Sequence, residues 1–150
     1  MKLADNALFL KYAVPCGSVL VARGTITQQQ LDNPTPGMFK VGLFMCGQVA
    51  KRLGKKAIDK EAIRQYFWHD HDRHLAEHRR LNKDVDPALC TVYPGEYLGN
   101  GVARLPIGRR KVNISRTPKL KKGDYATVHY HHACEEITKK EFEYLWELKK

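Results

Sequence analysis

The second half of the chain opens with Cys90-Thr91-Val92-Tyr93-Pro94-Gly95-Glu96, which places a cysteine four residues before a Pro-Gly pair. A second signal follows at Gly123-Asp124-Tyr125-Ala126-Thr127-Val128-His129, where a turn leads into a strand that ends on histidine. Thiolate sulfur is a strong ligand for soft and borderline metals, and neutral imidazole suits iron. We therefore expect the fold to bring Cys90 and His129 together, with Pro94 and Gly95 forming the turn after the cysteine.

Short alternating segments separated by glycine surround these two stretches. Short strands with glycine turns indicate a small OB-like barrel. A barrel can place the start of one strand beside the end of another, so we expect Cys90 to be partly accessible at a rim. The pattern predicts strands at residues 90–98, 102–106, 110–114 and 125–134, then a helix over 139–148 capped by Thr138.

The first half of the sequence reads as helices separated by turn-forming residues. Apolar spacing predicts helices over residues 3–14, 27–31, 38–53 and 60–80, while residues 17–22 fit either a helix or a buried strand. A polar segment with a proline at residues 82–87 marks a boundary. The expected fold class is α+β, with a helical module over residues 1–84 and a small β-barrel with a C-terminal helix over residues 85–150.

Composition narrows the classes of protein that fit. The 150 residues carry a net charge of +10, which suits nucleic acid or an acidic protein partner. No apolar run reaches the ~18 residues of a membrane helix, and the N-terminus is a poor secretory signal, so we expect a cytoplasmic protein. The four cysteines form no CxxC and should be reduced thiols. There is no nucleotide-binding glycine loop and no Ser/His/Asp order, so we expect no enzymatic activity.

The order of motifs in the second half resembles the HypC/HupF hydrogenase-maturation chaperones, over about residues 89–148. The resemblance lies in Cys-x-x-x-Pro-Gly, an Arg/Val strand, Gly-Asp-Tyr-x-x-Val-His and a Thr-capped acidic helix. It implies an OB-like barrel that holds iron carrying cyanide and carbon monoxide. It also implies work with a HypD-type scaffold and delivery to the large subunit of a nickel–iron hydrogenase. The family's cysteine falls on Cys90 and its histidine on His129. Here 89 residues precede the cysteine, which leaves open a relative with a different cargo.

All seven histidines lie in two short stretches. On the last predicted helix of the first half, His71, His74 and His78 share one face at i, i+3 and i+7 spacing. Three imidazoles on one face can bind zinc, nickel or iron, although a solvated polar face explains the same pattern. In the last predicted strand, alternation puts His131 on the face of His129, where it is either a second ligand or part of a polar outer face.

A basic run along the predicted barrel gives an alternative function. Basic grooves on such barrels bind nucleic acid, usually with aromatic stacking, yet residues 99–124 contain no aromatic side chain. A docking surface for an acidic protein explains the charge as well. The leading hypothesis is thus a metallochaperone, followed by a nucleic-acid-binding barrel and then a metalloenzyme using the histidine helix. The proposed docking surface consists of Arg104, Arg109, Arg110, Lys111 and Arg116.

Overall fold

The computed structural model describes residues 1–81 and 85–150, with the side chains of residues 78–81 outside this description. Contacts within the chain divide it into two compact units, Met1–Asp86 and Pro87–Lys150. The division lies close to the boundary expected between residues 84 and 85. Among the described residues, no helix is both long and apolar enough to cross a membrane.

The first unit is helical, as the apolar spacing predicts. Side-chain caps begin several of its helices: Asp5 accepts a hydrogen bond from Leu8 N, and Asp59 accepts one from Ala62 N, both at 3.0 Å. Residues 17–22, for which the sequence allowed either a helix or a buried strand, form a helix. The helices are α1 (Asn6–Ala13), α2 (Gly17–Ala22), α3 (Gln28–Asp32), α4 (Lys40–Arg52), α5 (Lys60–Gln65) and α6 (His71–Leu81).

The helix predicted over residues 60–80 is interrupted by a π-helical turn at Tyr66–Asp70. Its first three residues, Tyr66, Phe67 and Trp68, are all buried, and three consecutive side chains cannot share one face of an α-helix. A π-helical turn is wider than an α-helical one and occurs mostly as a single turn inserted in an α-helix. The Phe67 ring stacks on Tyr12 at 5.0 Å, and Trp68 Nε1 donates to the Tyr12 hydroxyl at 2.9 Å. The core of this unit forms around these rings.

The second unit is an antiparallel sheet, with one helix before its first strand in the sequence and one helix after its last. The strand order is β3-β2-β1-β4-β5, so β3 and β5 are the edges of an open sheet. Main-chain hydrogen bonds tie Asn113 to His131 and Ala133, which joins the chain beyond β3 to the start of β5. The elements are α7 (Pro87–Cys90), β1 (Tyr93–Gly99), β2 (Val102–Leu105), β3 (Gly108–Lys111), β4 (Tyr125–His129), β5 (His132–Ile137) and α8 (Lys139–Lys149).

The α+β class is confirmed. Where the sequence predicted a small barrel, the structure has this open sheet joined at one bridge between Asn113 and His132. The capping box predicted for the last helix is present, with Thr138 Oγ1 accepting from Glu141 N and Glu141 Oε1 accepting from Thr138 N.

Three details of the strand prediction are wrong. The first strand begins at Tyr93, and Cys90 ends the one-turn helix α7 instead. The last predicted strand is a hairpin, β4 and β5, which reverses at Tyr130 and His131. Pro94 and Gly95 are strand residues rather than a turn, since they pair with Thr127 and Ala126 of β4.

Packing explains why Pro94 and Gly95 suit β1. Pro94 lacks an N–H group, and the pairing of β1 with β2 begins only at Glu96. A Cβ at Gly95 would lie 3.0 Å from Leu105 Cδ2 and 3.1 Å from Val128 Cγ2, so core side chains already fill that space. The hydrophobic core of this unit includes Tyr93, Tyr97, Ala103, Leu105, Val112, Leu120, Ala126, Val128 and Ala133.

Candidate metal site

Cys90 is held at the end of α7 by main-chain contacts on either side of it. Thr91 N donates to Pro87 O, and Tyr130 N donates to Leu89 O, each at 2.9 Å. Beyond the cysteine, the Lys149 ammonium of α8 donates to Val92 O. These bonds fix the direction in which the thiol leaves the backbone.

His129 is the last residue of β4, a strand with neighbours on both sides in the sheet. Alternation along β4 places Tyr125, Thr127 and His129 on the face opposite Ala126 and Val128. On that face the Tyr125 ring contacts Phe142 of α8 with centroids 4.4 Å apart. His129 therefore lies on the helix-covered face of the sheet, away from the cluster around Val128.

The two side chains meet, as the sequence predicted. Cys90 Sγ lies 3.5 Å from His129 Nε2 although the residues are 39 positions apart in sequence. The prediction that the thiol is partly accessible is wrong, because Cys90 is only 5% exposed and His129 is fully buried. The correction follows from Cys90 closing a short helix rather than opening a strand at a barrel rim.

The distance between the donor atoms fits a shared metal ion. With metal–sulfur and metal–nitrogen bonds of ~2.3 and ~2.1 Å, two ligands of a tetrahedral ion lie about 3.6 Å apart. The observed 3.5 Å is close to that separation. It also allows the thiol and the ring to share a proton, which a metal would displace. The pair can thus supply one soft and one borderline ligand.

Cys46 shows how a cysteine without such a partner differs. It is fully buried in the first unit, and burial raises the pKa of its thiol to about 12. A thiol of that pKa stays protonated at neutral pH and makes a poor metal ligand. All four cysteines are free, so Cys90 is distinguished by its imidazole neighbour rather than by its oxidation state.

Arg110, which the sequence assigned to the basic docking surface, contacts the two segments that carry Cys90 and His129. Its Nη1 donates to Tyr130 O at 3.0 Å and its Nη2 donates to Ala88 O at 2.9 Å. One carbonyl lies just after His129 and the other just before Cys90. The sequence shows Arg110 at the start of the predicted strand 110–114, but the two carbonyls that it contacts belong to distant segments.

The histidines after His129 diverge. His131 lies in the hairpin turn, where its exposed ring donates from Nδ1 to Lys111 O at 3.2 Å, so it does not stand beside His129 on one strand face. His132 accepts from Arg116 Nη1 at 2.9 Å. Burial, and then the charges of Arg116 and His131, hold the pKa of His132 below its ordinary value.

On α6, His71 and His74 lie on the same side, as predicted from their spacing. Their rings pack edge-on against Tyr66, with centroid separations of 5.7 and 6.3 Å. His71 is buried and also contacts Phe67. The side chain of His78 lies outside the described residues. These ring contacts are of the aromatic packing type.

The predicted basic docking surface divides into engaged and exposed side chains. Arg104 forms an ion pair with Glu96 at 2.9 Å and lies over the Trp146 ring at 4.6 Å. Arg110 and Arg116 bond as described above. Arg109 and Lys111 are exposed on the edge strand β3.

Comparison with known proteins gives no relative for this chain: no family model, no curated protein and no solved structure matches it.

Proposed function

We propose that this protein is a non-enzymatic, cytoplasmic metal carrier of the HypC kind, which holds iron between Cys90 and His129. The observation that supports this most is the 3.5 Å separation of Cys90 Sγ and His129 Nε2, which suits two ligands of one ion. The motif order that resembles the HypC/HupF chaperones points to the same two residues.

Fewer than four protein donors suit a carrier better than a permanent metal site. Structural metal sites use four protein ligands, whereas two leave coordination positions for other groups. On an iron cargo, those positions would take cyanide and carbon monoxide, together with donors from a partner. On this proposal, loading replaces the proton shared by Cys90 and His129 with metal, and release returns it.

The proposed partners are a HypD-type scaffold and the large subunit of a nickel–iron hydrogenase. The exposed cations Arg109 and Lys111 would meet acidic groups on such proteins.

The test compares the iron bound by wild-type and variant proteins, all purified without oxygen. Wild-type protein should carry iron and show cyanide and carbonyl infrared bands when coexpressed with the maturation proteins. Replacing Cys90 with serine keeps the size and removes the soft ligand, so iron affinity should fall by more than ~100-fold, beyond the usual cost of an outer-shell change. The control is Cys16→Ser, because the Cys16 thiol donates to Ala13 O at 3.1 Å and serine can do the same. Equal iron in all three proteins would refute the proposal.

A further inference from the structure

The guanidinium of Arg110 joins the two segments that carry the candidate ligands. Arg110 pairs in register with Ala103 on β2, so its backbone belongs to the sheet. Its two terminal nitrogens donate to Tyr130 O and Ala88 O at 3.0 and 2.9 Å. Tyr130 follows His129 directly, and Ala88 lies two residues before Cys90. The Arg110 side chain therefore constrains both the backbone beside His129 and the backbone near Cys90.

Tyr130 requires such a constraint. Its φ of 53° lies in the left-handed region, a costly conformation for a bulky residue that persists only where the surroundings hold it. Both of its main-chain polar groups are engaged across the unit, since N–H donates to Leu89 O and C=O accepts from Arg110. The turn that ends β4 at His129 is thus set by long-range bonds rather than by a glycine.

Helix α7 depends on the same two segments, through the Arg110 guanidinium and the Tyr130 N–H group. It has four residues, so beyond Pro87 O, which accepts from Thr91 N, its carbonyls need hydrogen-bond donors from outside the helix. Ala88 O is taken by Arg110 and Leu89 O by Tyr130 N. A cation at this end of a helix is favourable, and the planar fork of arginine reaches two acceptors at once, which an ammonium on a flexible stem does not reproduce.

We infer that Arg110 is a positioning residue for the Cys90–His129 pair: it locks Tyr130 and α7 so that the sulfur and the ring nitrogen stay at ligand separation. This inference rests on the proposed function, because metal binding is the task for which the separation matters. Charge alone is not sufficient for the role, since two carbonyls in different segments must be held together.

The variants are Arg110→Ala and Arg110→Lys, with Arg109→Ala as the matched control on the same strand, where Arg109 is exposed. Without metal, the Nε2 resonance of His129 in ¹⁵N-histidine-labelled protein reports the contact with the sulfur, and His129→Ala assigns it. With metal, Co²⁺ stands in for Fe²⁺, its neighbour in the affinity series, and gives a thiolate-to-cobalt charge-transfer band.

Both Arg110 variants should shift the His129 resonance and weaken Co²⁺ binding by ~10-fold or more, as the loss of groups that orient a ligand does. Arg109→Ala should match wild type in both measurements. Wild-type resonance and Co²⁺ affinity in the Arg110 variants would overturn the inference, even if they melt at lower temperature, because the arginine would then be structural only. If Arg110→Ala does not fold, Arg110→Lys decides by the same criteria. Equal Co²⁺ binding by wild type and Cys90→Ser would refute the proposed function instead, while the metal-free resonance still tests Arg110.

Discussion

The two histidine-rich stretches of this protein have opposite outcomes. On α6, histidines that lie close in sequence stay together, and their rings pack against the same tyrosine. In the β4–β5 hairpin, three histidines within four residues separate to contact Cys90, Lys111 O and Arg116. The stretch that disperses its histidines is the one that brings an imidazole to a thiol, because His129 meets a cysteine from a distant segment.

The difference shows that density of ligand-type residues is a weak guide to a metal site. A helix keeps neighbours at i and i+3 on one face whether they bind metal or pack on a ring. A soft donor and an imidazole brought together from distant positions require the tertiary fold to hold them. That requirement makes the Cys90–His129 contact more informative than the helical histidines.

The largest effect is expected when His129 and His131 are replaced one at a time and their Co²⁺ affinities are compared. Replacing His129 with alanine removes one of two proposed ligands, so Co²⁺ affinity should fall by at least ~10-fold in a spectroscopic titration. His131→Ala, two positions along the same hairpin, should bind Co²⁺ as wild type does, because its ring faces Lys111 O. If both variants lose Co²⁺ affinity equally, His131 contributes to metal binding as much as His129, and the proposed difference between them is wrong.

A smaller effect is expected on α6. His74 packs on Tyr66, so His74→Ala should change zinc or nickel affinity by less than ~2-fold in calorimetry, whereas losing a real ligand would cost ~10-fold or more. It should lower the melting temperature instead, through the lost ring contact. A tenfold drop in metal affinity would establish a second site on this helix.

The smallest effect concerns pH. Since the pKa of His132 is lowered in the folded protein, the unfolded chain binds its proton more readily. The resulting stability is present above the unfolded pKa of about 6.5 and is lost as pH falls below it toward the folded value. Melting curves at about pH 7.5 and 5.5 should therefore show a smaller loss for His132→Gln, which can still accept from Arg116. An equal loss in both proteins would assign the pH dependence to other histidines.

Local sequence signals predicted much of this fold because they act through nearby atoms. Thr138 caps the last helix where the pattern placed it, and alternation along Tyr125–His129 marked a strand. The convergence of Cys90 and His129 was also predicted, on chemical grounds and from a family resemblance.

The hairpin at Tyr130 could not be predicted in this way. A left-handed turn residue is normally signalled by glycine or asparagine, and here the signal is absent because Leu89 O and Arg110 hold a tyrosine in that conformation. The sequence likewise gives no sign that Arg110 bonds to two main-chain carbonyls. Long-range bonds to main-chain carbonyls leave no pattern in the neighbouring residues.

X-ray absorption on iron-loaded protein, prepared without oxygen, tests the central claim most directly. Wild-type protein should show a sulfur scatterer at ~2.3 Å from iron and a nitrogen scatterer at ~2.1 Å, and the sulfur should vanish in Cys90→Ser while Cys16→Ser keeps it. Iron surrounded only by nitrogen and oxygen in the wild type, or a sulfur signal that survives in Cys90→Ser, would contradict a site built on Cys90 and His129.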